Sequence, residues 1–202
     1  MPFPHRWAVM FLVAVGFWNF LGAGIFGFLI NLPIVSYYEI GTALTANHGH
    51  AAMMGVYGML AVGLALFCLR YLIPGDRWPD GLAKISFWSL NIGLAWMTFA
   101  TLFPLGLIQL YESVDAGYYS ARTLEFLTND TNSLIEWIRL PGDILFIGGG
   151  VVPLLYICYL GVRHRVTRTT TEEAEILFTE ITAPAPETSA AFSPMRADEG
   201  RR

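Results

Sequence analysis

Two histidines lie one residue apart, His48 and His50, within the segment LTANHGH at residues 44–50. An imidazole nitrogen can ligate a metal ion or exchange a proton near neutral pH. Successive helical residues advance by about 100°, so side chains at this spacing point roughly 200° apart. They cannot ligate one metal ion together, because that requires a spacing of three or four residues on a helix. The spacing predicts two separate sites, one on each side of the helix.

The residues around the pair are apolar enough to lie in a membrane, where a histidine is costly and indicates a functional site. One interpretation is that each imidazole is the axial ligand of its own haem iron. The other is hydrogen bonding between helices or a place in a proton path, with nearby partners in Asn47, Thr45 and Thr42. Spacing alone leaves both interpretations open.

The elements that carry this pair are long and apolar. Of the 202 residues, 54% are hydrophobic and only 14% are charged, which excludes an ordinary soluble domain. Four stretches without Asp, Glu, Lys or Arg reach the length of about 20 residues that a membrane-spanning helix needs. The sequence therefore predicts an all-α, polytopic membrane protein with four transmembrane helices, over about residues 7–38, 40–69, 85–111 and 140–162.

Glycines recur in these predicted helices, and they suit either close helix packing or a flat, bulky cofactor against the backbone. They are Gly16, Gly22, Gly24, Gly27, Gly55, Gly58, Gly63, Gly148, Gly149 and Gly150. Their spacing does not distinguish the two uses.

Basic residues are concentrated on one side of the predicted membrane region, which spans residues 1–168. They are Arg6, Arg70, Arg77, Lys84, Arg163, Arg165 and Arg168. The positive-inside rule makes this side cytoplasmic and places both termini there. Residues 169–202 are rich in Thr, Ala, Pro and Glu, which predicts a disordered cytoplasmic tail. The expected partner is the lipid bilayer, and no binding to nucleic acid is expected.

Two segments show a wider resemblance: FLINLPIVSYYEIGTALTANHGHAAMMGVYGMLAVGLALF at residues 28–67 and RLPGDILFIGGG at residues 139–150. They resemble the large subunit of bacterial nitric oxide reductases, particularly the quinol-dependent kind, within the haem-copper oxidase superfamily. The resemblance implies that the four helices correspond to the last four of a larger respiratory bundle in the bacterial inner membrane. It also implies quinol as the electron donor of the parent enzyme.

The resemblance assigns roles to individual residues. It makes His48 the axial ligand of the high-spin haem b3 and His50 an axial ligand of the low-spin haem b. Arg139 looks placed to pair with haem propionates, and the alternative is an ordinary interfacial cation. For Glu39 the resemblance suggests proton entry or a cation site, although a carboxylate at the membrane boundary needs no such role.

The chain departs from that family in one respect. The complete enzyme also needs a non-haem iron, held by three histidines and a carboxylate, and a second axial histidine for the low-spin haem. Besides the pair, this sequence contains only His5 and His164, both predicted at cytoplasmic ends.

The expectation is therefore a C-terminal portion of a nitric oxide reductase: a truncated gene, a split subunit or a partial reading frame. It would be inactive without the missing N-terminal helices or an upstream subunit. The alternatives are a non-catalytic membrane remnant or packing subunit without cofactor, and a fragment of an O2-reducing haem-copper oxidase relative.

Overall fold

The computed structural model describes residues 3–164 and residue 175. This part is 88% helical and contains no strand, which confirms the all-α class. The predicted tail, residues 169–202, lies outside the described residues apart from Glu175. Four described helices are long and apolar enough to cross a membrane, as predicted. They are α1 (Arg6–Ile30), α3 (Ala43–Leu72), α4 (Asp80–Asp115) and α6 (Asp130–Arg163), with short helices α2 (Pro33–Glu39) and α5 (Leu124–Leu127) between them.

The first predicted span, residues 7–38, consists of two helices. α1 ends at Ile30, and α2 begins at Pro33. Proline has no N–H to donate and pushes the residue before it out of the helical region. Leu32 is accordingly extended, with φ −64° and ψ 130°. The chain therefore leaves α1 before the hydrophobic pattern ends.

α6 begins at Asp130 rather than near residue 140. The side chain of Asn129 caps its start by accepting a hydrogen bond of 2.8 Å from the backbone N–H of Asn132. The helix continues through Pro141. Hydrophobicity alone missed the polar first turns, because a capped amphipathic helix can extend beyond the membrane core.

The helices pack as neighbouring pairs: α1 lies against α3 and α4, and α4 lies against α6. The largest fully buried apolar side chains in the described residues are Phe11, Trp18, Met59, Leu66, Ile73, Leu94 and Ile157. A polar bridge joins α1 to α4 in this core: Nε1 of Trp18 donates to Oδ1 of Asn91 at 3.0 Å. An unpaired indole N–H would be costly among apolar side chains, so the bridge favours this packing of α1 on α4.

Large apolar side chains also cover the outside of the bundle. Examples are Val13, Phe20 and Leu155, which are 61%, 69% and 63% exposed. Exposed apolar area on this scale is rare on a soluble monomer and is expected where acyl chains or further helices surround the protein. The chain is a multi-pass membrane protein.

His5, which precedes α1, is buried among aromatic rings. Its ring centre lies 4.7 Å from that of Phe67 and 5.3 Å from that of Tyr71. Neither of its ring nitrogens has a hydrogen-bond partner in the described part of the chain. Burial, and then the nearby Arg70 guanidinium, lowers the pKa of His5 from its ordinary value of 6.5.

We expect the free energy of unfolding to fall on acidification because of His5. Its pKa is lower in the folded state, so the unfolded chain binds the proton more readily, and stability present above pH 6.5 is lost as the pH falls through the folded pKa. Unfolding of the purified protein should be measured from pH 8 to pH 5, beside His5→Phe and the control His164→Ala. His5→Phe should flatten the profile. If the free energy of unfolding of His5→Phe fell with pH as steeply as that of wild type, His5 would not be the cause of the pH dependence.

Candidate functional site

The His48 imidazole lies against α1. Its Nδ1 is 2.8 Å from the backbone carbonyl oxygen of Gly22. A Cβ atom on Gly22 would lie 2.7 Å from the Cβ of Ala51, and one on Gly27 would lie 2.9 Å from Cε1 of His48. Both distances are far below van der Waals contact. The two glycines therefore bring α1 close enough for its backbone to hold the ring.

The hydrogen bond at Nδ1 determines which nitrogen carries the proton. A carbonyl oxygen only accepts, so the proton of neutral His48 is on Nδ1 and the lone pair is on Nε2. His50 has the same arrangement: its Nδ1 lies 2.8 Å from the carbonyl oxygen of Ala46, one turn earlier in α3. No described residue hydrogen-bonds to Nε2 of either ring. Each histidine presents the nitrogen that an axial ligand uses.

The two imidazoles have different surroundings. His48 contacts the backbone of α1, whereas His50 folds back along its own helix. Within residues 3–164 and residue 175, no group of three or more His, Cys, Asp or Glu side chains could hold a metal ion. The arrangement therefore provides two single-nitrogen donors. That donor set would suit two haems, one held by each histidine, rather than one chelated metal ion.

The predicted hydrogen-bond partners of the histidines have other roles. Oγ1 of Thr45 donates to the Glu39 carboxylate at 2.9 Å. Oγ1 of Thr42 accepts from the backbone N–H of Leu44 at 3.3 Å and caps α3. Asn47 is buried, and its Oδ1 has no partner among the residues described. None of these three side chains hydrogen-bonds to a histidine in the described residues. His48 nevertheless bridges α3 to α1 through the Gly22 carbonyl, so hydrogen bonding between helices is realised for His48, with a different partner from those predicted.

Arg139 lies on α6, one turn before Asp143. Its Nε is 3.0 Å from a carboxylate oxygen of Asp143, and both side chains are partly exposed. The pair borders a cavity of about 350 Å³ between α4 and α6, which Thr101 and Glu136 also line. Asp143 offsets much of the Arg139 charge, so the pair is a weaker counter-ion for an anionic group than a lone guanidinium. The structure does not bring Arg139 into hydrogen bonding with His48 or His50.

The glycines mostly serve packing. A Cβ on Gly55 would lie 2.5 Å from Cγ of Trp18, and one on Gly150 would lie 2.5 Å from Cδ2 of Leu90. Gly16, by contrast, has open space around it. The packing interpretation therefore holds at the first two positions, while Gly27 makes room for the His48 ring.

Sequence reasoning missed Gln109 and Arg122. Oε1 of Gln109, on α4, accepts a 2.6 Å hydrogen bond from the backbone N–H of Ala43 at the start of α3. Arg122 donates to backbone carbonyls on both sides of Glu39. A glutamine inside an apolar span was the available signal, because such a residue is rarely left without a partner in a membrane.

The sequence of the chain is similar to sequences of known proteins. The chain is 29% identical over 162 residues to a nitric oxide reductase subunit of Stutzerimonas stutzeri, a match that covers 78% of this chain and 32% of that protein. It therefore spans about a third of the length of this curated relative. Residues 2–145 match the family described as "Cytochrome C and Quinol oxidase polypeptide I". The resemblance is confirmed, and the chain belongs to this family of haem-copper oxidases.

Proposed function

We propose that this chain is the haem-binding C-terminal portion of a respiratory nitric oxide reductase. The observation that carries the proposal is the hydrogen bond from Nδ1 of each histidine to a backbone carbonyl, which leaves both Nε2 atoms available for an iron. The likeness to a known nitric oxide reductase supports the choice of reaction.

In this proposal His48 holds the high-spin haem b3 and His50 holds the low-spin haem b. The haems, when bound, supply one-electron transfer and an iron that can bind NO. The chain positions them. The carbonyl of Gly22 keeps the His48 ring in one tautomer and one orientation, and Ala46 does the same for His50. The backbone between the two histidines is a short connection between the haems. Arg139 is proposed as a cation near the haem propionates.

The reaction of the parent enzyme joins two NO molecules, with two electrons and two protons, into N2O and water. The non-haem iron ligands and the second axial histidine of the low-spin haem are assigned to N-terminal helices or to an upstream subunit. The four spanning helices then correspond to the last four helices of the complete bundle. Quinol is the proposed electron donor. The proposed location is the bacterial inner membrane, with both ends of the four-helix region on the cytoplasmic side.

A second candidate is a portion of an O2-reducing relative, favoured by the oxidases that the family description names. The two candidates share the haem ligands in this chain and differ at the third metal. Reconstitution with candidate upstream helices, followed by assays of NO and O2 consumption, separates them. Faster O2 than NO consumption would favour the second candidate.

The proposal is tested by the reduced-minus-oxidised optical spectrum of the chain, purified from haem-replete membranes. We expect a b-type haem signal and no NO consumption, because one axial histidine per iron can retain haem whereas the third metal site is needed for turnover. A chain without haem, both alone and co-expressed with upstream helices of a nitric oxide reductase, would identify a non-catalytic remnant or packing subunit. Measurable NO consumption by the chain alone would contradict the expected inactivity.

A further inference from the structure

Arg122 joins three parts of the chain at the end of the bundle where α3 begins. Its Nη1 donates to Oγ of Ser113 at 3.1 Å and to the carbonyl of Tyr118. Its Nη2 donates to the carbonyl of Tyr38 at 3.3 Å and to that of Ile40. Its guanidinium carbon lies 3.7 Å from the ring centre of Tyr118. One side chain thus connects α4, the loop that follows it and the α2–α3 connection.

The connection that Arg122 holds leads directly into α3. Glu39, between the two held carbonyls, is only 4% exposed, and its carboxylate accepts a hydrogen bond from Thr45 in the first turn of α3. Gly41 follows with φ +78°, a left-handed conformation that favours glycine. Thr42 then caps the helix. The path of the chain into α3 is therefore fixed by hydrogen bonds on both sides of Gly41.

A second anchor holds the first turn of α3 against α4. Oε1 of Gln109, on α4, accepts a 2.6 Å hydrogen bond from the backbone N–H of Ala43. A Cβ atom on Gly106 would lie 2.5 Å from the backbone nitrogen of Leu44, so the two helices are close together here. The first turn of α3 has little freedom to slide or rotate while both anchors are in place.

We propose that Arg122 is a positioning residue for His48 and His50, an inference that rests on the proposed function. The histidines lie about 9 Å and 12 Å along the helix axis from Thr42, at roughly 1.5 Å per residue. A helix transmits the position of its first turn to residues this near. By holding that turn, Arg122 sets the height and the rotation at which the two Nε2 atoms meet their haems.

The chemistry of arginine suits this task. Its planar guanidinium offers donors in several fixed directions, and here they reach carbonyls from two separate segments. Hydrogen bonds from a charged donor are stronger than neutral ones. A lysine at this position would keep the charge but could not reach both segments from one ammonium group.

The experiment compares Arg122→Ala and Arg122→Lys with wild type in the haem-loaded, folded chain. We expect haem affinity to fall about tenfold, as it does when a group that orients a metal ligand is removed. We also expect the ferric EPR signal of the bound haem to shift and broaden in both variants. A change that acted only on stability would lower the yield and leave the spectrum of the folded fraction unchanged. Arg77→Ala, an exposed cation in the connection between α3 and α4, should behave like wild type.

Each result decides the question. Wild-type affinity and EPR signal in Arg122→Ala would overturn the inference, as would full recovery in Arg122→Lys, since charge alone would then suffice. If Arg122→Ala does not accumulate, Gln109→Leu tests the second anchor and should shift the signal, while Gln109→Glu keeps the acceptor and restores it. An unchanged signal in Gln109→Leu would equally overturn the inference. Absence of haem from wild type, alone and with upstream helices, refutes the proposed function and this role with it.

Discussion

Replacing His48 by alanine should remove the high-spin haem, and replacing His50 should remove the low-spin haem. Each substitution is expected to lower the ratio of haem to protein by about half, because in the proposed site each imidazole ligates one of the two irons. The neighbours of the two rings make this separation possible: His48 is held by Gly22 on α1, and His50 by Ala46 on its own helix. Loss of one ring leaves the hydrogen bond of the other in place.

Two spectra distinguish the variants. The variants are co-expressed with upstream helices of a nitric oxide reductase, which supply the second axial histidine of the low-spin haem. In His48→Ala the reduced-minus-oxidised spectrum should then retain its low-spin component, and in His50→Ala the spectrum of the CO adduct should retain its high-spin component. His164→Ala is the matched control, since this histidine follows α6 and takes no part in the proposed site. Adding imidazole to His48→Gly should restore part of the missing haem.

Two results would contradict the assignment of one haem to each histidine. Loss of both haems to an equal degree in each variant, with the protein still folded, would mean that the histidines do not hold separate irons. Unchanged haem content in either variant would remove that histidine from the site.

Gly22→Ala should destabilise the bundle and release haem from His48. The added Cβ would lie 2.7 Å from the backbone carbon of Ala51, so α1 must move away from α3. Overpacking of this kind typically costs about 1–3 kcal/mol. The same movement lengthens the 2.8 Å hydrogen bond from His48 to the Gly22 carbonyl, so stability and ligand geometry change together.

Gly16→Ala is the matched control on the same helix. Apart from the backbone of its own helix and its chain neighbours, nothing lies within 4 Å of a Cβ added there, so the substitution should be neutral or stabilise by about 0.5–1 kcal/mol through helix propensity. Unfolding by denaturing detergent, followed by tryptophan fluorescence, measures stability, and the optical spectrum measures haem. Equal stability and haem content in the two variants would show that α1 does not approach α3 as closely as the structure has it.

Hydrophobic length predicted the four spans because crossing a bilayer is a property of each helix alone. The ends of those spans depended on local chemistry that hydrophobicity does not report. Pro33 interrupts the first predicted span, and the side chain of Asn129 starts α6 well before its apolar part. The proline and the capping asparagine are both visible in the sequence, but hydrophobic length, which predicts the spans, does not depend on either of them.

The candidate site, like the spans, could be predicted from the sequence only in part. Helical periodicity predicts that His48 and His50 point to different sides, and the motif around them placed the chain in its family. The tautomer of His48 could not be predicted, because its acceptor is the carbonyl of Gly22, 26 residues earlier in the chain.

The sequence by itself determined the all-α class, the four spans and the spacing of the two histidines. The tertiary structure alone decided that α1 holds the His48 ring and that Arg122 and Gln109 fix the start of α3. The physical reason is the range of the interactions. Hydrophobic length and helical period act within one helix, whereas most of these hydrogen bonds form only after separate helices have packed close enough for a carbonyl to meet its donor.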